Sequence, residues 1–132
     1  MSHEDKELTG LDILALPAPK PEKVHVPEWG GSVYIKRMTV KERDDYETSL
    51  FDKKGRPSMK GARARLLIAT AVDANGHKLF SPREEDKIMA MDAAGVDRVT
   101  KRAMELSGMT EQDIEDAAEG FDAPHGGDDS SE

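Results

Sequence analysis

Apolar positions repeat every second residue in one part of this chain and every third or fourth in most of the rest. Val24 and Val26 alternate before the segment PEWGGS, and Val33 and Ile35 alternate after it. Period two on both sides of a glycine pair predicts a β-hairpin over residues 24–38. Gly30 and Gly31 are expected to supply positive φ at its turn. Pro27 has no amide donor to give at the strand end, so an edge pair is expected. A lone hairpin is marginal and must pack on something.

The remainder reads as helices. Thr39 with Glu42 forms a capping box and opens a helix over about 40–51 that buries Val40, Tyr46, Leu50 and Phe51. DKKGRPS breaks it. A second helix over about 58–72 places Ala64, Leu67, Ile68, Ala71 and Val72 on one face. In DANGHKLF, Asn75-Gly76 suits a type I′ turn, a second small hairpin is possible, and Leu79 and Phe80 return to the core. Ser81, Pro82 and Glu84 open a third helix carrying Ile88, Met89 and Met91, which Gly95 interrupts. Val96, Val99, Ala103 and Leu106 form the stripe of a fourth, ended by Gly108. TEQD caps a last short helix over about 110–118. The fold class is therefore α+β, mainly α: an N-terminal hairpin packed on a bundle of about four helices.

The ends differ from this middle. In residues 1–23, Leu8, Leu11, Ile13, Leu14 and Leu16 cluster behind Thr9, a possible cap, and LPAPKPEK then forms a stiff connector. So short a helix is marginal alone, which leaves a disordered arm or a partner-docking segment. Residues 119–132 carry five acidic and no basic residues, and read as a disordered tail. Three regions follow: an arm over 1–23, a small domain over 24–118 and an acidic tail over 119–132.

Charge narrows the function. The net charge is -8, but it sits in the ends, and the middle has no basic excess of the kind a nucleic-acid surface needs. With no cysteine there is no disulfide and no thiolate nucleophile or ligand. No apolar run approaches the roughly 18–20 residues of a membrane span, and no signal peptide is visible. The core is lean in Leu, Ile, Val and Phe and is helped by methionine, so a marginal domain completed by partners is expected.

Chemistry finds little support. His3, His25, His77 and His125 lie in the ends or near turns, without the spacing of a metal site. DANG fails as a calcium loop, because Ala71 and Pro82 would stand at the first and twelfth ligand positions. No phosphate-binding glycine loop occurs, and KERDDYE and REEDK read as solvated helix faces. No catalytic, metal or cofactor residue is assigned. Trp29, at the hairpin tip, is either folded onto the core or a contact for a partner. Met89 and Met91 are likewise core filler or an adaptable partner surface.

The order of features is informative. The LDILAL arm, VHVPEWGGSVYIKRMTVKERDDYE, ARARLLIATAVDANGHKLFSPREE, AAGVDRVTKRAMELSGMT and the acidic end together resemble the tail assembly chaperones of long-tailed phages over roughly residues 11–118. VPEWGG, the capped MTVKERDDYE and DANGHKLF carry most of the likeness, and all are fold signatures rather than catalytic ones. The resemblance implies a protein encoded between the tail tube and tape measure genes. Such a protein binds the tape measure protein, recruits major tail tube subunits and is absent from the virion. It further implies action in the host cytoplasm, possible self-association, and a longer frameshifted form in relatives. On that reading Leu11, Ile13, Leu14, Trp29, Met89 and Met91 are the candidate partner-binding residues. The alternatives are a small structural virion component, such as a head–tail connector or tail terminator, and a small regulatory binder of an enzyme.

Overall fold

A computed structural model of the chain describes residues 5–109 and 112. Its elements run in the order α1 (Gly10–Leu14), β1 (Glu22–Val26), β2 (Gly31–Ile35), α2 (Val40–Thr48), α3 (Ala62–Thr70), β3 (Ala71–Val72), α4 (Glu85–Met89) and α5 (Ala93–Leu106). The architecture is α+β and mainly α. A three-stranded antiparallel sheet in the order β1-β2-β3 packs against α5, which with α2 and α4 surrounds α3.

The hairpin forms where the alternation places it, with Val24 opposite Val33 and Val26 opposite Gly31, but begins two residues earlier, at Glu22. Its turn is a single 3-10 turn over Pro27–Trp29, closed by Gly30 N–H donating to Pro27 O at 3.1 Å. Only Gly30 takes positive φ, at 70°; Gly31 is already the first residue of β2. The edge-pair expectation holds for β1 alone. On its other side β2 pairs with β3, Tyr34 opposite Val72 and Ile35 opposite Ala71. The helical stripe of α3 hid that pairing, because Ala71 and Val72 are buried whether they continue the helix or leave it as a strand.

Helices α2, α3 and α4 are shorter than their apolar stripes predict, whereas α5 starts ahead of its stripe, at Ala93. The chain leaves α2 after Thr48, and Phe51 instead bridges Pro57 across the DKKGR loop. Val40, expected inside, is the first residue of α2 and is 81% exposed, while Tyr46 and Leu50 are buried as expected. The next helix starts at Ala62 rather than 58, after Gly61 at φ 77°. The DANGHKLF turn is organised by Asp73 and not by a two-residue turn. Asp73 N–H donates to His77 O at 2.8 Å, and its Oδ1 accepts from the amides of Asn75 and His77. Val72 bridges Lys78, so the second small hairpin is reduced to one rung, and Leu79 is 44% exposed while Phe80 packs on the core. Ala90, Met91 and Asp92 separate α4 from α5. Asp92 caps α5, and Gly95 lies within it rather than breaking the preceding helix. The expected last helix over 110–118 falls outside the described residues except for Gln112, which is helical.

The core centres on α3, which packs against α5, α4 and α2. Leu67, Val99, Leu50 and Val26 are completely buried. Thr70 and Thr100 are buried among them, and each hydroxyl donates to the carbonyl four residues back, Leu66 O at 2.7 Å and Val96 O at 2.9 Å. That local bond satisfies a polar group that would otherwise cost about 1–3 kcal/mol to bury. Two forked ion pairs tie the hairpin to α5. Arg102 grips Glu22 at 2.6 and 2.8 Å, and Arg98 grips Glu28 at 2.7 and 2.9 Å. The hydrogen bonds from these guanidiniums hold both carboxylates below their ordinary pKa.

Candidate partner-binding surfaces

The arm presents apolar side chains without burying them. Thr9 and Asp12 cap α1 reciprocally, Thr9 N–H donating to Asp12 at 3.0 Å and Asp12 N–H to Thr9 at 3.1 Å. The box fixes one turn of helix from within, with no help from the body. Its apolar side chains stay in water: Leu11 is 81%, Ile13 52% and Leu14 85% exposed, flanked by Leu8 and Leu16. A monomer rarely leaves that much clustered apolar surface in solvent.

Trp29 occupies different ground. Its indole is half-buried and lies against Gly95 in the first turn of α5. A Cβ at Gly95 would come within 2.6 Å of the indole Cε2, so only glycine lets the hairpin tip seat there. Met89 and Met91, at the end of α4 and just beyond, are 48% and 39% exposed and so are not core filler. The six residues singled out from the sequence thus fall on three elements: Leu11, Ile13 and Leu14 are brought together on α1, Met89 and Met91 lie near one another in the chain, and Trp29 is pinned to α5.

One feature escapes the sequence pattern. Between α2, α3 and the 73–82 loop runs a cleft of about 310 Å³ whose walls include Tyr46, Ile68, Ala69, Phe80 and Pro82. Burial pushes the Tyr46 hydroxyl up to about 12. At one end Glu42 takes Lys36 at 2.7 Å and Lys78 at 3.1 Å, and Lys78 also donates to Ala69 O. Partial burial would raise the Glu42 pKa, but the bonds from Lys36, the Thr39 amide and Lys78 outweigh it and hold the carboxyl at about 2. At the other end Arg65 joins Ser49, just past the end of α2, at 3.0 Å to Glu85 on α4 at 3.2 Å. The only sequence signal for this cleft was Phe80 returning to the core. Its second wall depends on the path of the Asp73 loop, which no periodicity encodes.

Among the described residues no cluster of His, Asp and Glu could hold a metal ion, and no helix is long and apolar enough to cross a membrane.

A family model described as phage tail assembly chaperone matches residues 15–120. The match begins just after α1, four residues later than the sequence resemblance suggested. The solved structure of the bacteriophage HK97 tail assembly chaperone aligns with a TM-score of 0.49 and 21% sequence identity, covering 66% of this chain and 84% of that one. No curated protein matches the chain.

Proposed function

The chain belongs to the phage tail assembly chaperone family, and from that premise we propose that it binds the tape measure protein of its phage, keeps it soluble and recruits major tail tube subunits to it. The observation that carries this reading is the arm, with Leu11, Ile13 and Leu14 held in a capped turn of helix and left in water. A long helical client with an apolar seam needs many adaptable protectors, each weak enough to leave when tube subunits arrive. Burying two leucines offers about 3–6 kcal/mol before ordering costs, and a preformed turn reduces those costs. The balance suits a contact that forms readily and lets go. Met89, Met91 and the accessible part of Trp29 are proposed as secondary contacts, since thioether and aromatic groups adapt to varied apolar partners. The work takes place in the host cytoplasm and needs no catalytic step and no cofactor.

Co-expression with the tape measure protein tests the proposal. The client's soluble fraction should rise several-fold, and purified virions should lack this chain by mass spectrometry. A client equally insoluble with and without the chain would overturn the reading, and a fixed number of copies in each virion would favour a connector or terminator instead.

A further inference from the structure

The cleft between α2, α3 and the 73–82 loop holds a polar atom that nothing in the fold explains. Tyr46 lines it and is 5% exposed, and its hydroxyl makes no hydrogen bond among the described residues. A buried hydroxyl left without a partner destabilises the fold that holds it. Phenylalanine would fill the same space without that cost, so the hydroxyl points to a use outside the fold. Its raised pKa keeps it protonated at neutral pH, and it can donate.

The rest of the cleft defines what would accept that bond. Ile68, Ala69, Phe80 and Pro82 are its apolar walls. Every charge that lines it is matched within the chain: Glu42 by Lys36 and Lys78, Asp45 by Lys41, and Arg65 by Glu85. A charged ligand finds no free counter-charge there and would lose its hydration without compensation. The volume of about 310 Å³ is at the small end of ligand sites and suits one large side chain. The site therefore fits a neutral apolar group with one hydrogen-bond acceptor beside it. A polypeptide supplies that pair wherever an apolar residue lies next to a free backbone carbonyl. Inside a helix the carbonyl is taken by the amide four residues on, but in the last turn it is open.

We propose that the cleft receives one leucine or phenylalanine side chain from the last turn of a helix in a partner polypeptide, with a free carbonyl of that turn accepting from the Tyr46 hydroxyl. That the partner is the client, and the segment a helix end, rests on the function proposed above. The arm then covers the apolar seam of such a client, and the cleft takes the places where its helices stop.

The test titrates the full chain with N-acetylphenylalanine methylamide, which has the ring and free carbonyls, and with ethylbenzene, which has the ring alone. The capped residue should move the amide resonances of Tyr46, Ile68, Ala69 and Phe80. Tyr46→Phe should weaken its binding about two- to ten-fold, the worth of one hydrogen bond. The same variant should leave ethylbenzene binding unchanged and keep or raise the melting temperature. Ala69→Leu, which fills the cleft from a half-buried position, should abolish binding of both probes. The tape measure protein should lose affinity in both variants. If the unaltered chain does not bind that client at all, the proposed function falls and the probes alone decide the cleft. The proposal is overturned if neither probe moves those resonances, if Tyr46→Phe binds the capped residue as well as the unaltered chain does, or if that variant melts several degrees lower. It is equally overturned if both variants keep full client affinity. A last contrary result is movement of the cleft resonances on concentrating the chain alone that stops in Leu11→Ser/Leu14→Ser, which would make the arm of a second copy the occupant.

Discussion

Helices α1 and α5 share a plan and meet opposite fates. Each starts at a side-chain cap, Thr9 for α1 and Asp92 for α5, and each carries an apolar stripe. The stripe of α5 disappears into the body, where Val96, Val99 and Ala103 are buried against α3, and two arginines fasten the hairpin across it. The stripe of α1 is buried nowhere. A cap and a stripe are local properties, so they fix a helical turn in both places. What the turn is worth depends on long-range neighbours, which α5 has and α1 lacks. The difference divides the molecule into a part that holds itself together and a part that the proposed function assigns to a client.

The division can be broken by mutation. Leu67→Ala, in a completely buried position, should lower unfolding free energy by about 2–5 kcal/mol in denaturant titrations. A loss comparable to a surface change would mean that α3 is not the centre of the core. Gly95→Ala comes next. Helix propensity favours alanine by about 1 kcal/mol, but forcing a methyl into the indole costs about 1–3 kcal/mol, so a net loss is expected. Fluorescence of Trp29, the only tryptophan, should shift at the same time. Trp29→Ala should then make Gly95→Ala harmless; an additive loss in the double variant would remove the seat from the account.

Acid should act on the body at Glu42. Its folded pKa of about 2 lies below the ordinary 4.5, so its contribution is fully present above 4.5 and fades as pH falls toward 2. At this partly solvated site that amounts to roughly 1–2 kcal/mol. Glu42→Gln should flatten the stability curve between pH 4.5 and 2, and an unchanged acid limb would show that the Lys36–Glu42–Lys78 network is not stabilising. The smallest effect is expected in the arm. Leu14→Ala should change stability by less than about 0.5 kcal/mol, and a larger loss would show that the arm is part of the folded body.

Much of this layout can be read from sequence because its signals are local. The hairpin at Val24–Ile35 follows from period two, and the capping boxes at Thr39 and Ser81 follow from residue type and spacing; both boxes form, Thr39 N–H donating to Glu42 at 2.8 Å and Ser81 N–H to Glu84 at 2.9 Å. Features that rest on distant partners were harder to see. Nothing near Ala71 and Val72 announces that they pair with Tyr34 and Ile35 as a third strand, and nothing near Gly95 reveals the indole above it. Glycine in a helical stretch reads as a break when its reason lies 66 positions away, at Trp29. The cleft beside Tyr46 was hidden for the same reason. Among the proposed contacts, the arm leucines were the easiest to find, since apolar residues in a five-residue helix have little to pack against.

The central claim is that the arm serves the client and not the fold. The direct measurement is titration of the tape measure protein with the full chain and with Leu11→Ser/Leu14→Ser, alongside the melting temperature of each. The account predicts an unchanged melting temperature and at least a ten-fold loss of client affinity, about 1.4 kcal/mol. Equal affinity for the two chains, or an arm variant that melts several degrees lower, would contradict it.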